Sequence, residues 1–301
     1  MKVQDKNSPI VSIIMNCHNG EKYLEQSLQS VLNQSYRNWE LIFFDNASTD
    51  KSKDIFNKLK ESRFKYFYNK KKINLYKARN LAISKTKGDF IAFIDVDDWW
   101  EKNNLARRKL FFLKKKEYAF SYSNCFHFFE KNKKKKLFTK QKLPNGYIFN
   151  DLSKNYLVNL SSILIRKSFL YRLNYFFNNR YNIIGDFDLI LRLSEKYLAH
   201  SINEPLVNIR YHDENFSRLN RDLFYKEYKN WYKKVIKLEN YKKNKNLFFH
   251  KLKYLEIVKD LIKFKNYRLF IKIINYPLSY KMIKLLIIFF SPRFIIKILY
   301  K

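Results

Sequence analysis

The sequence predicts an α/β fold, a mainly parallel sheet flanked by helices, followed by a basic helical extension. Three observations carry that prediction. Short apolar runs alternate with helical patterns over the first 98 residues, acidic clusters stand directly after two of those runs, and the composition changes after His212. With 301 residues, 46% of them hydrophobic, the chain can bury a sizeable core, which excludes wholesale disorder.

Ile10-Val11-Ser12-Ile13-Ile14-Met15 is a short β-branched run suited to a buried strand. Leu24, Leu28, Val31 and Leu32 then recur at helical spacing, and this helix is expected to end within residues 33–36. Leu41-Ile42-Phe43-Phe44 is a second strand that runs into Asp45-Asn46-Ala47-Ser48-Thr49-Asp50. There Ser48 or Thr49 can cap a helix carrying Ile55, Phe56 and Leu59. Residues 64–68 read as a third strand, and Leu75, Ala78, Leu81 and Ala82 as a third helix. Phe90-Ile91-Ala92-Phe93-Ile94 is a fourth strand, ending in Asp95-Val96-Asp97-Asp98. Strands joined through helices pair in parallel with right-handed crossovers, and ligands bind beyond their carboxyl ends. Asp45 and Asp95 each follow a strand directly, so both acidic clusters belong on that one edge.

Beyond residue 100 the pattern loosens. The basic run at residues 131–136 suits a solvated hairpin tip or loop, residues 161–165 a strand, and residues 184–196 a helix with Ile190, Leu191 and Leu193 inward. After His212, Phe224, Tyr228, Trp231, Val235 and Leu238 recur at helical spacing, which places a domain boundary near Ser217: residues 1–217, then 218–301.

Composition narrows the function classes. Only 4 glycines exclude phosphate loops built from closely spaced glycines. Cys17 and Cys125 stand far apart, which argues against a disulfide scaffold or a cysteine zinc site and fits a reducing, cytoplasmic compartment. The first nine residues are polar, unlike a signal peptide, and no stretch reaches about 18 apolar residues, so no simple membrane span is expected. The 61 Lys+Arg against 27 Asp+Glu give a net charge of +34, which suits either a polyanionic partner or a merely Lys-rich composition. The excess is lysine rather than arginine, which argues against dedicated phosphate or base recognition. Residues 281–301 mix apolar residues such as Ile283, Leu285 and Phe290 with Lys284, Arg293, Lys297 and Lys301. Two readings stand for them: a helix packed on the catalytic domain, or an interfacial helix in peripheral contact with an anionic membrane on the cytoplasmic face.

Asp95-Val96-Asp97-Asp98 puts three carboxylates within four residues, and Asp95 and Asp97 point to one side if the strand geometry persists. Carboxylate oxygens suit a hard divalent cation, Mn²⁺ or Mg²⁺; an acidic turn without a ligand is the alternative. The spacing of other blocks bears on that choice. Val11-Ser12-Ile13-Ile14, Asn19-Gly20-Glu21-Lys22-Tyr23-Leu24, Ser30-Val31-Leu32-Asn33-Gln34, the Asp45 to Asp50 block, Ala78-Arg79-Asn80 and Gly88-Asp89 through Asp98 together resemble the opening of family 2 glycosyltransferases. The likeness runs nearly continuously over residues 9–100 and more weakly to about Ser217.

The resemblance implies a GT-A fold and inverting transfer of a sugar from a nucleotide diphosphate donor, UDP-sugars favoured, to a glycan or lipid-linked acceptor. Cell-surface polysaccharide biosynthesis is the implied setting. By motif position Asp45 contacts the nucleotide base with Arg79 nearby, Asp95 and Asp97 hold ribose, metal and diphosphate, and Asp97 is the leading metal ligand with Asp98 beside it. Gly185-Asp186-Phe187-Asp188 matches the motif that supplies the general base. Asp186 and Asp188 lie about 200° apart on a helix, so only one can face the site, and Asp186 is taken as the base. Its alternative role is to serve the helix N-terminus. His212, in Arg210-Tyr211-His212, matches an Arg-x-His element whose histidine approaches the diphosphate or metal. Trp99 and Trp100 suit core packing or stacking against a sugar. Departures from the family pattern are Gly185 in place of a glutamate, Ala47 where glycine is common, Lys77, and His18 in place of an aromatic. A nucleic-acid binder and a nucleotidyltransferase are the competing functions; no binding signature supports the first, and no nucleic-acid partner is expected.

Overall fold

The structure, a computed structural model, describes residues 10–263 and 266–291. The polar residues 1–9, and Arg293, Lys297 and Lys301 of the basic-apolar terminus, lie outside the described residues. Two compact units divide between Tyr211 and His212, a little ahead of the boundary expected near Ser217.

In the first unit, β1 (Val11–Cys17), α1 (Glu21–Leu32), β2 (Trp39–Asn46), α2 (Ser52–Lys58), β3 (Phe64–Asn69), α3 (Leu75–Ile83) and β4 (Phe90–Phe93) follow the predicted alternation. β5 (Trp99–Trp100), α4 (Asn104–Lys114), β6 (Tyr118–Phe129), β7 (Lys134–Leu137) and α5 (Phe149–Lys154) come next, then β8 (Ile163–Arg166), α6 (Lys167–Leu170), α7 (Gly185–Lys196) and β9 (Leu198–Tyr211). Among the described residues the strands form one nine-stranded sheet, ordered β3-β2-β1-β4-β8-β6-β9-β5, with β7 on β6. β1 pairs in parallel with both β2 and β4, placing Ile14 opposite Ile42 and Phe93 and Cys17 opposite Asp45. β8 runs antiparallel to β4 and β6, so the sheet becomes mixed after residue 100.

β1 and β2 are covered on both faces, which is why they read as unbroken apolar runs rather than alternating ones. Leu24, Leu28 and Val31 of α1 meet Ile13, Met15 and Leu41 in one core. Asn74 caps α3, its side chain accepting from the Tyr76 and Lys77 N–H groups. α2 does not start at Ser48 or Thr49 as predicted. Its N-cap is Lys51, with no side-chain cap, because the Ser48 N–H donates to Asp45 and its hydroxyl accepts from the Asn19 N–H. The basic run at residues 131–136 falls at the exposed β6–β7 hairpin.

The second unit contains α8 (Phe216–Leu219), α9 (Arg221–Val235), α10 (Glu239–Lys243), α11 (Lys245–Lys263), α12 (Tyr267–Ile274) and α13 (Tyr280–Phe290). Trp231 of α9 packs against Tyr241 and Phe248, and a second cluster joins Ile257 and Leu261 of α11 to Leu269, Ile273, Leu285 and Ile288.

Candidate active site

The carboxyl ends of β2, β1 and β4 form one edge of the sheet. β4 stops at Phe93, so the strand geometry does not persist through the acidic cluster. Residues 95–98 instead form a turn closed by the Asp98 N–H donating to the Asp95 carbonyl at 3.1 Å.

Two partners hold this turn. Asp98 is buried and accepts from the Ser161 hydroxyl at 2.7 Å and from the Arg210 N–H at 3.1 Å. Burial, with Asp97 and Asp95 close by, holds its carboxyl well above the usual carboxylate range. β9 delivers Arg210 beneath the turn. Its Nε donates to the Asp97 carbonyl at 2.9 Å, its Nη2 donates to Gln26, and the guanidinium covers the Tyr23 and Trp99 rings at 4.6 and 4.7 Å. Trp100 lies in the core and donates to the Ser161 carbonyl at 2.9 Å, while Trp99 meets Phe128 edge-on. Asp97 is half-buried in the same turn.

Arg79 ties the turn to the predicted base. From α3 its Nη2 pairs with Asp95 at 2.5 Å, and its charge also acts on Asp186. Asp186 stands in the first turn of α7, where Oδ1 accepts from the Phe187 N–H at 2.8 Å, so it does serve the helix N-terminus, although Ile184 holds the cap position. Burial lifts the Asp186 carboxyl above its ordinary range, and Arg79, the Phe187 N–H and the Tyr76 hydroxyl hold that rise back. Asp188 turns to a different partner, Arg192, at 2.9 Å.

Tyr76 is the residue that sequence reading missed. Fully buried, it stacks on Phe177, and its hydroxyl lies 2.7 Å from the Ile183 carbonyl and 3.1 Å from Asp186 Oδ1. Its ring also occupies the space a side chain at 185 would need: a Cβ on Gly185 would come within 2.6 Å of two ring carbons. The glycine at the position where the family carries glutamate therefore has a local physical cause. Nothing in the helical spacing of Tyr76 distinguishes it from an ordinary core aromatic.

Asp45 sits at the end of β2, two strands across from β4, or roughly 10 Å at the usual strand spacing. Its Oδ1 accepts from the Ser48 N–H and its Oδ2 from the Tyr66 hydroxyl at 2.6 Å. It lines a hollow of about 350 Å³ with Ser48, Thr49, Lys53, Tyr66 and Tyr68, and neither Asp97 nor Asp186 is among the lining residues. His212 opens the second unit, buried, its N–H donating to Asn215 Oδ1 at 2.8 Å.

Among the described residues no group of three His, Cys, Asp or Glu side chains is arranged to hold a metal ion by itself. The oxygen donors at residues 95–98 nevertheless fit Mg²⁺ or Mn²⁺, which one or two carboxylates plus substrate phosphates commonly hold.

The family model for glycosyl transferase family 2 matches residues 12–177. An Escherichia coli UDP-Glc:alpha-D-GlcNAc-diphosphoundecaprenol beta-1,3-glucosyltransferase is 37% identical over 117 residues, 39% of this chain and 46% of that protein. The chain spans under half the length of the first curated relatives it matches. S. aureus TarS (residues 1–349), solved with UDP-GlcNAc, superposes over 93% of this chain and 72% of its own with TM-score 0.55 at 15% identity. A mannosyltransferase from Pyrobaculum calidifontis, solved with GDP-Man and Mn²⁺, covers 77% of this chain and 65% of its own with TM-score 0.56 at 15% identity. These two likenesses show a shared fold, GT-A in type.

Proposed function

The chain belongs to glycosyl transferase family 2, and we propose from that premise that it transfers a sugar, with inversion, from a UDP-sugar to a hydroxyl of a lipid-linked glycan. Surface polysaccharide assembly is the setting. The observation that carries this reading is the run of contacts from Asp95 to Asp186: Arg79 pairs with Asp95 at 2.5 Å and lies 5.4 Å from the Tyr76 ring, whose hydroxyl is 3.1 Å from Asp186 Oδ1, linking the acidic turn after β4 to the carboxylate opening α7. Relatives that act on diphosphoundecaprenol-linked sugars support the acceptor class, and the TarS complex supports a UDP-sugar donor.

Each residue's role follows from its surroundings. Asp45 accepts the N–H of the base, since a carboxylate offers about four acceptor sites and two are in use here. Arg79 neutralises Asp95 and keeps it placed for the ribose and diphosphate. Asp97 and Asp98 would hold a Mn²⁺ or Mg²⁺ ion, and such a cation, when bound, neutralises charge on the departing nucleoside diphosphate. Asp186 takes the acceptor hydroxyl's proton, and burial makes it a better proton acceptor than a solvated aspartate. The acceptor oxygen bonds to the anomeric carbon on the face opposite the breaking C–O bond, and the nucleoside diphosphate leaves with that electron pair. His212 is assigned to the diphosphate by motif position.

The test is Asp186→Asn in a nucleotide-release assay. Turnover should fall by roughly 10²–10⁴-fold while the donor Kd stays within about twofold. A variant with unchanged turnover overturns the base assignment.

A further inference from the structure

We propose that α12 and α13 form a membrane-docking surface that seats the protein on an anionic bilayer. α13 presents Tyr280, Ile283, Ile287 and Phe290 within one arc of about 80° at 100° per residue. Tyr280, Ile287 and Phe290 are 79%, 62% and 72% exposed, whereas Leu285 and Ile288 on the opposite side are buried against α11 and α12. A helix that only packed on protein would not leave its largest apolar residues in water. The pattern continues beyond α13: Leu278 before it and Tyr267 on α12 are 85% and 76% exposed, and the Phe290 ring lies 6.0 Å from Phe270 of α12. Contiguous exposed apolar residues of this extent mark an interaction site.

Charge selects the occupant. From residue 261 to 301 the sequence holds nine Lys and Arg and no Asp or Glu. Exposed Lys284 borders the apolar stripe, about 40° from Tyr280 at 100° per residue, where its stem can lie along the acyl boundary and its ammonium group reach lipid phosphates. Two copies meeting through this face would set like charges against each other, because a two-fold interface pairs a patch with itself. Among the described residues no helix is long and apolar enough to cross a membrane, so the helices lie in the interface plane. The inference stands apart from the sugar-transfer reading, since lipid binding is measured without turnover.

Vesicle sedimentation of the intact protein tests it. Phosphatidylglycerol-containing vesicles should bind it, pure phosphatidylcholine vesicles should not, and added salt should weaken binding. Lys284→Ser should weaken partitioning about fivefold, equivalent to about 1 kcal/mol for the removed charge. Ile287→Ser with Phe290→Ser should weaken it at least about tenfold with an unchanged circular-dichroism melt, both sites being exposed. No binding, equal binding to both vesicle types, or no effect of the apolar pair overturns the proposal. So does a dimer in light scattering that the apolar pair abolishes, which would assign the face to a second copy.

Discussion

Gly185→Ala tests the packing that positions Asp186. The added Cβ would stand 2.6 Å from Cδ2 and Cε2 of Tyr76, against an optimum of about 3.5–4.0 Å, so something must move by about 1 Å. The ring has no easy retreat: it is 2% exposed, stacked on Phe177 at 5.3 Å and anchored through its hydroxyl at Ile183. Overpacking of this kind costs about 1–3 kcal/mol. Displacing the ring also loosens the hydroxyl, whose one proton is shared between the Ile183 carbonyl and Asp186, and such a hydrogen bond is worth about 0.5–1.5 kcal/mol. Together these give a loss of about 3 kcal/mol, or about 6–12 °C in melting midpoint for a unit of this size. Denaturant titration measures it, and a double-mutant cycle isolates the cause. Gly185→Ala placed on Tyr76→Leu should cost under about 0.5 kcal/mol, giving a coupling of about 2.5 kcal/mol. A Gly185→Ala change that is neutral alone, or costs that add in the double variant, refutes the reasoning.

Two further outcomes concern stability. Ala47 occupies the left-handed region at φ 62°, where a Cβ is disfavoured, so Ala47→Gly should raise unfolding free energy by about 0.5–1 kcal/mol; a loss in denaturant titration would contradict this. Arg108 is fully buried, its terminal nitrogens have no hydrogen-bond partner among the described residues, and burial drives its guanidinium down to about 9. Below that pH it stays charged in both folded and unfolded chains and carries the full desolvation penalty. Arg108→Met should therefore be neutral or stabilising by about 1–3 kcal/mol near pH 7, and a loss above about 2 kcal/mol in thermal unfolding would refute it.

The first half of the fold was legible because buried parallel strands and amphipathic helices leave distinct periods, so Asp45 and Asp95 could be assigned to one sheet edge before any coordinates. After residue 100 that signal fades for identifiable reasons. β6 buries Ser121, Ser123 and Asn124 among its apolar residues, and its longest pairing, with β9, joins segments distant in sequence. β5 has two residues and forms only because β9 lies beside it. The grip of Ser161 and Arg210 on Asp98, and of Tyr76 on Asp186, depends on contacts across 63 to 112 positions that no local pattern encodes. In the C-terminal unit, composition indicated basic helices; which residues stay exposed required the packing.

Nucleotide release by the purified protein, with UDP-sugars, Mn²⁺ and a lipid-diphosphate-linked sugar acceptor, addresses sugar transfer itself. The proposed function predicts UDP as the product, formed with Mn²⁺, lost with EDTA and lost again in Asp97→Ala. Pyrophosphate release, or UDP release that neither EDTA nor Asp97→Ala diminishes, would contradict the roles given to residues 95–98.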